Sequence, residues 1–487
     1  MTSATPHRQE PLAPPASHGR LSSENRWPAG LMCCRLCHKG AGMITRIEID
    51  GFKSFQGFAL DLEPFSVLIG PNGAGKSNLL DALSLLARLA GSPLAAAVGE
   101  GRGRIREQFR RRDEEPTTTV ERGFGALASM ALAIEVILPR SAVRVGLRDV
   151  PLQATRLRYE VNIELQQLSS MRERLTVVRE VLRSMTSDED AWLRRHPAFA
   201  SRLRHGDGGA LVEYERALTV ADPSASQFSM TATVQYVPEA TFLSEPEMQA
   251  RSPHLRAVAE ELSGLRVLHL EAQRIREPSE PGAPARLSTD GANLAATLAA
   301  QSPGAIAEIR ADVASLVPGV RTFEVVVEGD TLVVQMETSD GQRLPSRVLS
   351  DGTLRILALS TALRADASSA LIAIEEPENG LHPARVRTLI ERILEATQRP
   401  VASDTESAAA GTAQVLITSH SPVVLAALMD HPECIMALDL VRLGSGLRHT
   451  RVRRVAPVGV IDREQYISTA ELRRILETAS PAELAEA

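Results

Sequence analysis

The octapeptide GPNGAGKS, Gly70 to Ser77, constrains this chain more than any other stretch. It follows the apolar run FSVLIG (65–70), which reads as a short buried strand, and it leads into KSNLLDALSLLARLA, whose apolar residues recur at helical spacing. A strand, a glycine-rich turn and a helix in that order let backbone N–H groups turn toward phosphate oxygens. The partial positive charge of the helix N-terminus lies behind them. The spacing is G-x-x-x-x-G-K-S, in which Lys76 reaches the β- and γ-phosphates of a nucleotide and the Ser77 hydroxyl ligates Mg2+. A bare match in a glycine-containing loop arises by accident in roughly one in fifty such chains, and the correct flanks lower that further. Lysine usage points the same way. Of 54 Lys+Arg only Lys39, Lys53 and Lys76 are lysines, so a chain that places arginine almost everywhere has kept a lysine here. Gly70, Pro71, Asn72, Gly73, Ala74, Gly75, Lys76 and Ser77 are therefore the expected nucleotide-binding residues, with ATP or GTP as ligand.

A second feature completes the chemistry. LIAIEEPENGLHP (371–383) ends an apolar, strand-like run with two carboxylates, Glu375 and Glu376, which are costly wherever they are neither paired nor solvated. In a protein with a phosphate loop, a second strand beside the loop's strand ends in an acid that holds Mg2+. Glu375 fits that position. Glu376, one residue on, points the other way and is the expected general base toward an attacking water.

Composition narrows the remaining classes. The 487 residues are about three domains' worth of chain. No uninterrupted apolar run of about 18 residues exists, so nothing is expected to span a bilayer. Aromatics are only 3%, which argues against stacking platforms for single-stranded nucleic acid. With a net charge of -6, any nucleic-acid contact has to be a local patch. Four cysteines make no disulfide framework. Cys34-x-x-Cys37-His38, next to Cys33, has haem-attachment spacing, but residues 1–42 lack a signal-peptide layout and are rich in Pro, Ser, Arg and Gly. They read as a disordered extension. Met43, which opens the first clear alternation, is the expected start of the folded protein and a candidate start of translation. Cys434, in CIMAL, reads as a small buried apolar residue.

The rest of the pattern suggests an organisation. ITRIEID (44–50) and FALDL (58–62) alternate as a pair of strands, and MALAIEVIL (130–138) is another. Residues 43–140 are the expected first part of the nucleotide-binding domain. Residues 141–264 are expected as an inserted lid or arm, in which TRLRYEVNIEL and TATVQYV read as strands and MRERLTVVREVLRSM as an amphipathic helix. Residues 265–455 complete the domain, with LRVLHL as a strand, a hairpin turning at Gly329-Asp330, and SSALIAIEE and QVLITSH as buried strands of a parallel sheet. ASDTESAAAGT (402–412) reads as a flexible loop, and 456–487 as a tail.

Two further motifs separate the phosphate-loop classes. VLSDGTLRILAL places Ser350 and Gly352 at a helix start, and LITSHSP places His420 at a strand end. With GFKSF (51–55), the loop and EEPENGLHP, this makes five motifs in order. Over roughly 43–140 and 265–440 they resemble the ATPase heads of the SMC and RecF group of ABC-type ATPases, and within it the bacterial stand-alone AAA family ATPases. The resemblance implies an α/β P-loop NTPase of ABC/SMC-head type, with a mixed central sheet, an antiparallel β subdomain and an inserted α/β lid. It implies a cytoplasmic enzyme that splits ATP with Mg2+ as an ATP-dependent homodimer. In that dimer Ser350 and Gly352 of one chain contact the γ-phosphate held by the other, and His420 senses it. Asn379 would lie at the dimer seam, and Gln108 is the only glutamine placed to be a Mg2+-contacting one. LSDGT departs from the two-glycine transporter signature, and Glu375 stands where Asp is usual. No long coiled coil separates the halves, and residues 440–487 are too few for a C-terminal Toprim nuclease.

Partners are read from charge and from the resemblance. Arg102, Arg104, Arg106, Arg110, Arg111 and Arg112, with Arg451, Arg453 and Arg454, form either a DNA-contacting surface or solvated loops balanced by Asp113, Glu114 and Glu115. The favoured reading is an ATPase whose dimerisation serves a DNA-associated process such as DNA repair. A nucleotide sensor in an anti-phage system, with a separately encoded effector, is the alternative. The ATP-binding subunit of a transporter is disfavoured by GFKSF, by the signature and by the insert.

Overall fold

The computed structural model of the protein describes residues 42–110, 126–138, 143–145, 148–169, 172–214, 218–220, 230–232, 239–365, 371–398, 414–442, 448–455 and 464–479. The N-terminal extension up to residue 41, with its three cysteines, and the 402–412 loop lie outside them.

Short strands whose residues are nearly all buried form the central sheet, because apolar runs such as Phe65–Ile69 and Val415–Ser419 must be covered on both faces. Arg266–Leu268, Ile372–Glu375, Val415–Ser419, Phe65–Ile69 and Ile435–Arg442 run parallel in that spatial order. Arg448–Val455 then pairs antiparallel, with Tyr466–Ile467 beside it. The two-residue period divides the side chains between two cores. Leu68, Ala373 and Leu416 pack with the helix Lys76–Leu89 and the second sheet. Val67, Ile69, Ile372, Ile374 and Ile417 pack with the helices Pro303–Leu316, Asp351–Ala365 and Pro383–Gln398.

The second sheet is antiparallel, in the order Met230–Ala232, Leu218–Val220, Ala210–Tyr214, Arg172–Ser184, Arg156–Ser169, Ala126–Ile137, Met43–Asp50 and Phe58–Asp61. The hairpin Val320–Glu328 and Thr331–Thr338 turns at Gly329-Asp330 as expected. A mixed central sheet with an antiparallel companion sheet and flanking helices is the α/β class expected. Among the described residues no helix is long and apolar enough to cross a membrane.

Four expectations need correction. The stretch 171–185, read as a helix, is the strand Arg172–Ser184. A bulge explains the misreading: Ile163 faces Val177 while Asn162 faces Arg179, so Val178 is an extra residue that breaks the alternation. Leu175, Val178, Val181 and Leu182 then mimic one face of a helix. The segment expected as a lid is not set apart either, since its long strands extend the antiparallel sheet directly from Ala126–Ile137. Within the expected tail, 464–479 adds a strand and the helix Thr469–Ala479, which buries Leu472. Lastly, the acidic strand does not lie beside the phosphate-loop strand, because Val415–Ser419 separates them.

The antiparallel sheet carries a titratable group in its core. Glu180 accepts hydrogen bonds from the Phe242 N–H at 2.9 Å and the Tyr159 hydroxyl at 2.8 Å. Burial pushes its carboxyl up to about 7, against those bonds. Between an ordinary glutamate value of about 4.3 and that value, the folded protein holds a proton the unfolded chain releases. Stability therefore falls as pH rises through this window, by an amount on the order of 3 kcal/mol. Glu180→Gln keeps an acceptor and loses the titration, so its urea midpoint is expected to stay flatter between pH 4.5 and 7. A slope equal to that of the wild type would assign the decline to other groups.

Candidate active site

Ligands of open α/β sheets gather at the carboxyl ends of the parallel strands, and here the strand ends bring the motif residues into a row. Register pairs Leu268 with Ile374, Glu375 with Thr418, and Ser419 with Ile69. His269, the Glu375–Glu376 pair, His420 and the loop beginning at Gly70 are therefore consecutive along one edge.

The loop is built for close approach. Gly75 caps the helix Lys76–Leu89 with φ +103°, and a Cβ there would sit 2.2 Å from Thr450 Oγ1. That hydroxyl is 2.7 Å from Ser54 Oγ, which in turn accepts from Asn78 Nδ2 at 2.8 Å. The GFKSF turn, the loop helix and strand Arg448–Val455 thus clamp one another. Lys76 is buried and donates from Nζ to the carbonyls of Gly70 at 2.7 Å and Pro71 at 3.1 Å. Burial lowers its pKa, opposed by the charges of Glu376, Glu378 and Glu375.

The twin acids diverge. Glu375 accepts from the Ser77 hydroxyl at Oε1 (2.5 Å) and from His269 Nδ1 at Oε2 (2.6 Å). The His269 hydrogen bond, joined by that of Ser77 and the charge of Arg102, outweighs burial and holds this carboxyl down at about 2. A serine hydroxyl and an ionised carboxylate are hard oxygen donors of the kind Mg2+ takes. With a glycine cradle and a buried ammonium next to them, the set fits a magnesium-bound triphosphate.

Glu376 has φ +45°, a left-handed conformation that costs a non-glycine residue on the order of 1–3 kcal/mol. It is held there by its N–H donating to Thr418 O at 3.1 Å. Its Oε1 accepts from His420 Nδ1 at 2.9 Å and its Oε2 from Asn379 Nδ2 at 2.8 Å. Asn379, expected at a dimer seam, orients Glu376 within its own chain.

Ser350 accepts from the Thr353 N–H at 3.2 Å and so caps the helix Asp351–Ala365. A Cβ on Gly352 would meet Gly380 O at 2.6 Å, so this position packs on the PENG turn. Arg276 bonds the Leu349 carbonyl at 3.2 Å and pairs with Asp351. Among the described residues no hydrogen bond links Ser350 or Gly352 to their own phosphate loop. Gln108 does not reach the metal-binding pair, because its buried side chain donates to Val98 O at 2.5 Å.

Two site residues escaped the sequence reading. His269 ends a strand of only three residues, and its one signal was a histidine at the carboxyl end of a parallel-type strand. Glu378 is buried, accepts from Ser419 Oγ at 2.5 Å, and has no hydrogen-bond partner for Oε2 among the described residues. Burial raises its pKa.

Of the arginines considered as a DNA surface, Arg104 is exposed, and six others bond within the chain. Arg102 pairs with Asp81, Arg106 with Glu173, and Arg110 donates to the carbonyls of Ser54 and Arg448. Arg451 and Arg453 pair with Asp439, and Arg454 with Glu63. Arg111 and Arg112 lie outside the described residues.

Comparison with known proteins adds to this geometry. A family model described as "AAA domain, putative AbiEii toxin, Type IV TA system" matches residues 65–426. A 47-residue stretch is 49% identical to Structural maintenance of chromosomes protein 1 of Schizosaccharomyces pombe, covering 9% of this chain and 4% of that protein. A 119-residue stretch is 33% identical to the methionine import ATP-binding protein MetN of Bordetella pertussis, covering 23% of this chain and 32% of that protein. The chain thus spans a third or less of the length of these curated relatives. Among solved structures, an Smc head bound to the C-winged helix domain of ScpA aligns with a TM-score of 0.44 at 13% identity, over 85% of this chain and 98% of that one. The SMC head domain from Thermotoga maritima aligns with a TM-score of 0.36 at 10% identity, over 85% of this chain and all of the other.

Proposed function

The chain belongs to the AAA-domain family whose model it matches from residue 65 to residue 426, and on that footing we propose that it binds ATP with Mg2+ and hydrolyses it to ADP and phosphate within an ATP-bridged homodimer. The observation that carries this reading is the row of groups along one sheet edge, in which Ser77 meets Glu375 while His420 and Asn379 hold Glu376. Gly70 to Ser77 wrap the phosphates, and Lys76 leaves its own loop carbonyls to pair with them. Ser77 and Glu375 would hold Mg2+, which when bound neutralises charge on the β- and γ-phosphate oxygens. Glu376 takes the proton of the attacking water. His420, bonded to that carboxylate, would sense the γ-phosphate.

Ser350 and Gly352 act in trans in this reading. That each has its hydrogen bonds and packing outside its own phosphate loop supports a role toward a second copy. Ser350 is exposed, so Ser350→Arg is expected to leave the fold and single-chain nucleotide binding intact. It should abolish ATP-dependent dimerisation in light scattering and lower turnover about 10²-fold, as for a lost transition-state donor. Unchanged turnover would sink the trans arrangement.

The process served is, in the first reading, a cytoplasmic DNA-associated one such as DNA repair. The internal pairing of Arg102, Arg106 and Arg110 favours a second reading, an ATP sensor in an anti-phage system that works through a separately encoded effector. DNA affinity that falls steeply with salt and drops on Arg110–Arg112→Ala would support the first. A flat salt response would favour the second.

A further inference from the structure

We infer that His269 is a positioning residue for the metal-binding acid: it latches one oxygen of Glu375 so that the other is committed to Ser77 and the nucleotide's magnesium. The inference rests on the nucleotide-site reading above and adds to it a residue outside the motifs.

A glutamate at the end of a strand has three side-chain torsions, and its carboxylate turns easily about the last of them. Two donors fix Glu375 among the described residues: Ser77 on Oε1 at 2.5 Å and His269 on Oε2 at 2.6 Å. A carboxylate oxygen facing a ring nitrogen at this distance accepts, so His269 Nδ1 is the donor of the pair. Arg102 adds charge near Glu375 but gives its own hydrogen bonds to Asp81 and the Ser77 carbonyl. When Ser77 turns toward a metal ion, His269 is left as the one donor still restraining the acid.

The backbone places His269 for this. Arg266–Leu268 runs parallel to Ile372–Glu375, with Leu268 opposite Ile374, so the next residues along, His269 and Glu375, are neighbours at the strand ends. The His269 N–H donates to Thr289 O at 2.9 Å, which holds the chain as it leaves the sheet. Its ring is 36% exposed and stands at the strand end, so a shorter side chain there opens to solvent. Partners of this kind behind a metal ligand are worth about 10- to 100-fold in metal affinity.

The test is a Mg2+ titration of fluorescent ATP-analogue binding to the full chain. His269→Ala is expected to move the Mg2+ midpoint upward about 10- to 100-fold, while analogue binding without Mg2+ stays at the wild-type level. His269→Asn places an amide nitrogen where Nδ1 lies and should restore the midpoint. His269→Gln carries its amide one bond farther out and should shift like alanine. This pair of amides keeps the test decisive should the alanine variant fold poorly. A midpoint unmoved in His269→Ala and His269→Gln, or unrestored in His269→Asn, would overturn the inference while leaving the nucleotide site standing. A wild-type chain that bound no analogue, with or without Mg2+, would remove the nucleotide reading and this inference together.

Discussion

Glu376→Gln is expected to lower ATP turnover by about 10² to 10⁴, the span for a lost general base, while ATP still binds. The amide keeps the length and shape of the side chain, and its oxygen can still accept from Asn379 or from His420. What disappears is the capacity to take a proton from water. The hydrogen bonds of Lys76 and of the Ser77–Glu375 pair do not involve Glu376, and Lys76 keeps the charges of Glu375 and Glu378 beside it. Chemistry should therefore stall after nucleotide capture, and an ATP-bound dimer should accumulate. Single-turnover phosphate release and light scattering with ATP check the two halves separately. Release at the wild-type rate would remove Glu376 from the role of base. Loss of binding instead would show that the strained turn at Glu376, with φ +45°, had given way.

Lys76→Ala is expected to abolish nucleotide binding, and the reason is electrostatic as much as geometric. The ammonium stands in the field of Glu375, Glu376 and Glu378, all of which raise its pKa against burial. With it gone, those carboxylates face a triphosphate uncompensated. A hydrogen bond to a charged group contributes about 1.5–3 kcal/mol, so losing the lysine's bonds alone weakens binding roughly 10²-fold, before repulsion is counted. Arginine should not rescue. Lys76 fits as a compact point charge between the Gly70 and Pro71 carbonyls, whereas a planar fork is too wide for that turn. Equilibrium binding of a labelled nucleotide settles this, and wild-type affinity in Lys76→Ala would falsify the phosphate-loop assignment.

Local order was legible in the sequence, and long-range order was not. The strand, turn and helix around Gly70–Ser77 are contiguous, so their chemistry could be read directly, as could the two acids at the end of one apolar run. Contacts between distant segments left no local mark. His269 and Glu375 are 106 residues apart, and Ser77 and Glu375 are 298 apart. Likewise, no spacing rule reveals that Val415–Ser419 lies between the two key strands. The strand Arg172–Ser184 was misread because its extra residue at the bulge imitates another period. Gln108 was placed near the metal by its position in sequence, yet packing beside Gly101 turns its amide onto Val98.

The strand order also bears on how the chain is made. Phe65–Ile69 emerges from the ribosome long before either of its sheet neighbours, Val415–Ser419 and Ile435–Arg442. The pairs joining Ala126–Ile137, Arg156–Ser169 and Arg172–Ser184 can zip up as they appear, since each partner follows at short sequence separation. The phosphate loop must wait, attached to a strand with open edges, until residues 415–442 have been made. Ribosome-bound chains stalled before residue 415 should consequently carry a formed antiparallel sheet and capture no nucleotide.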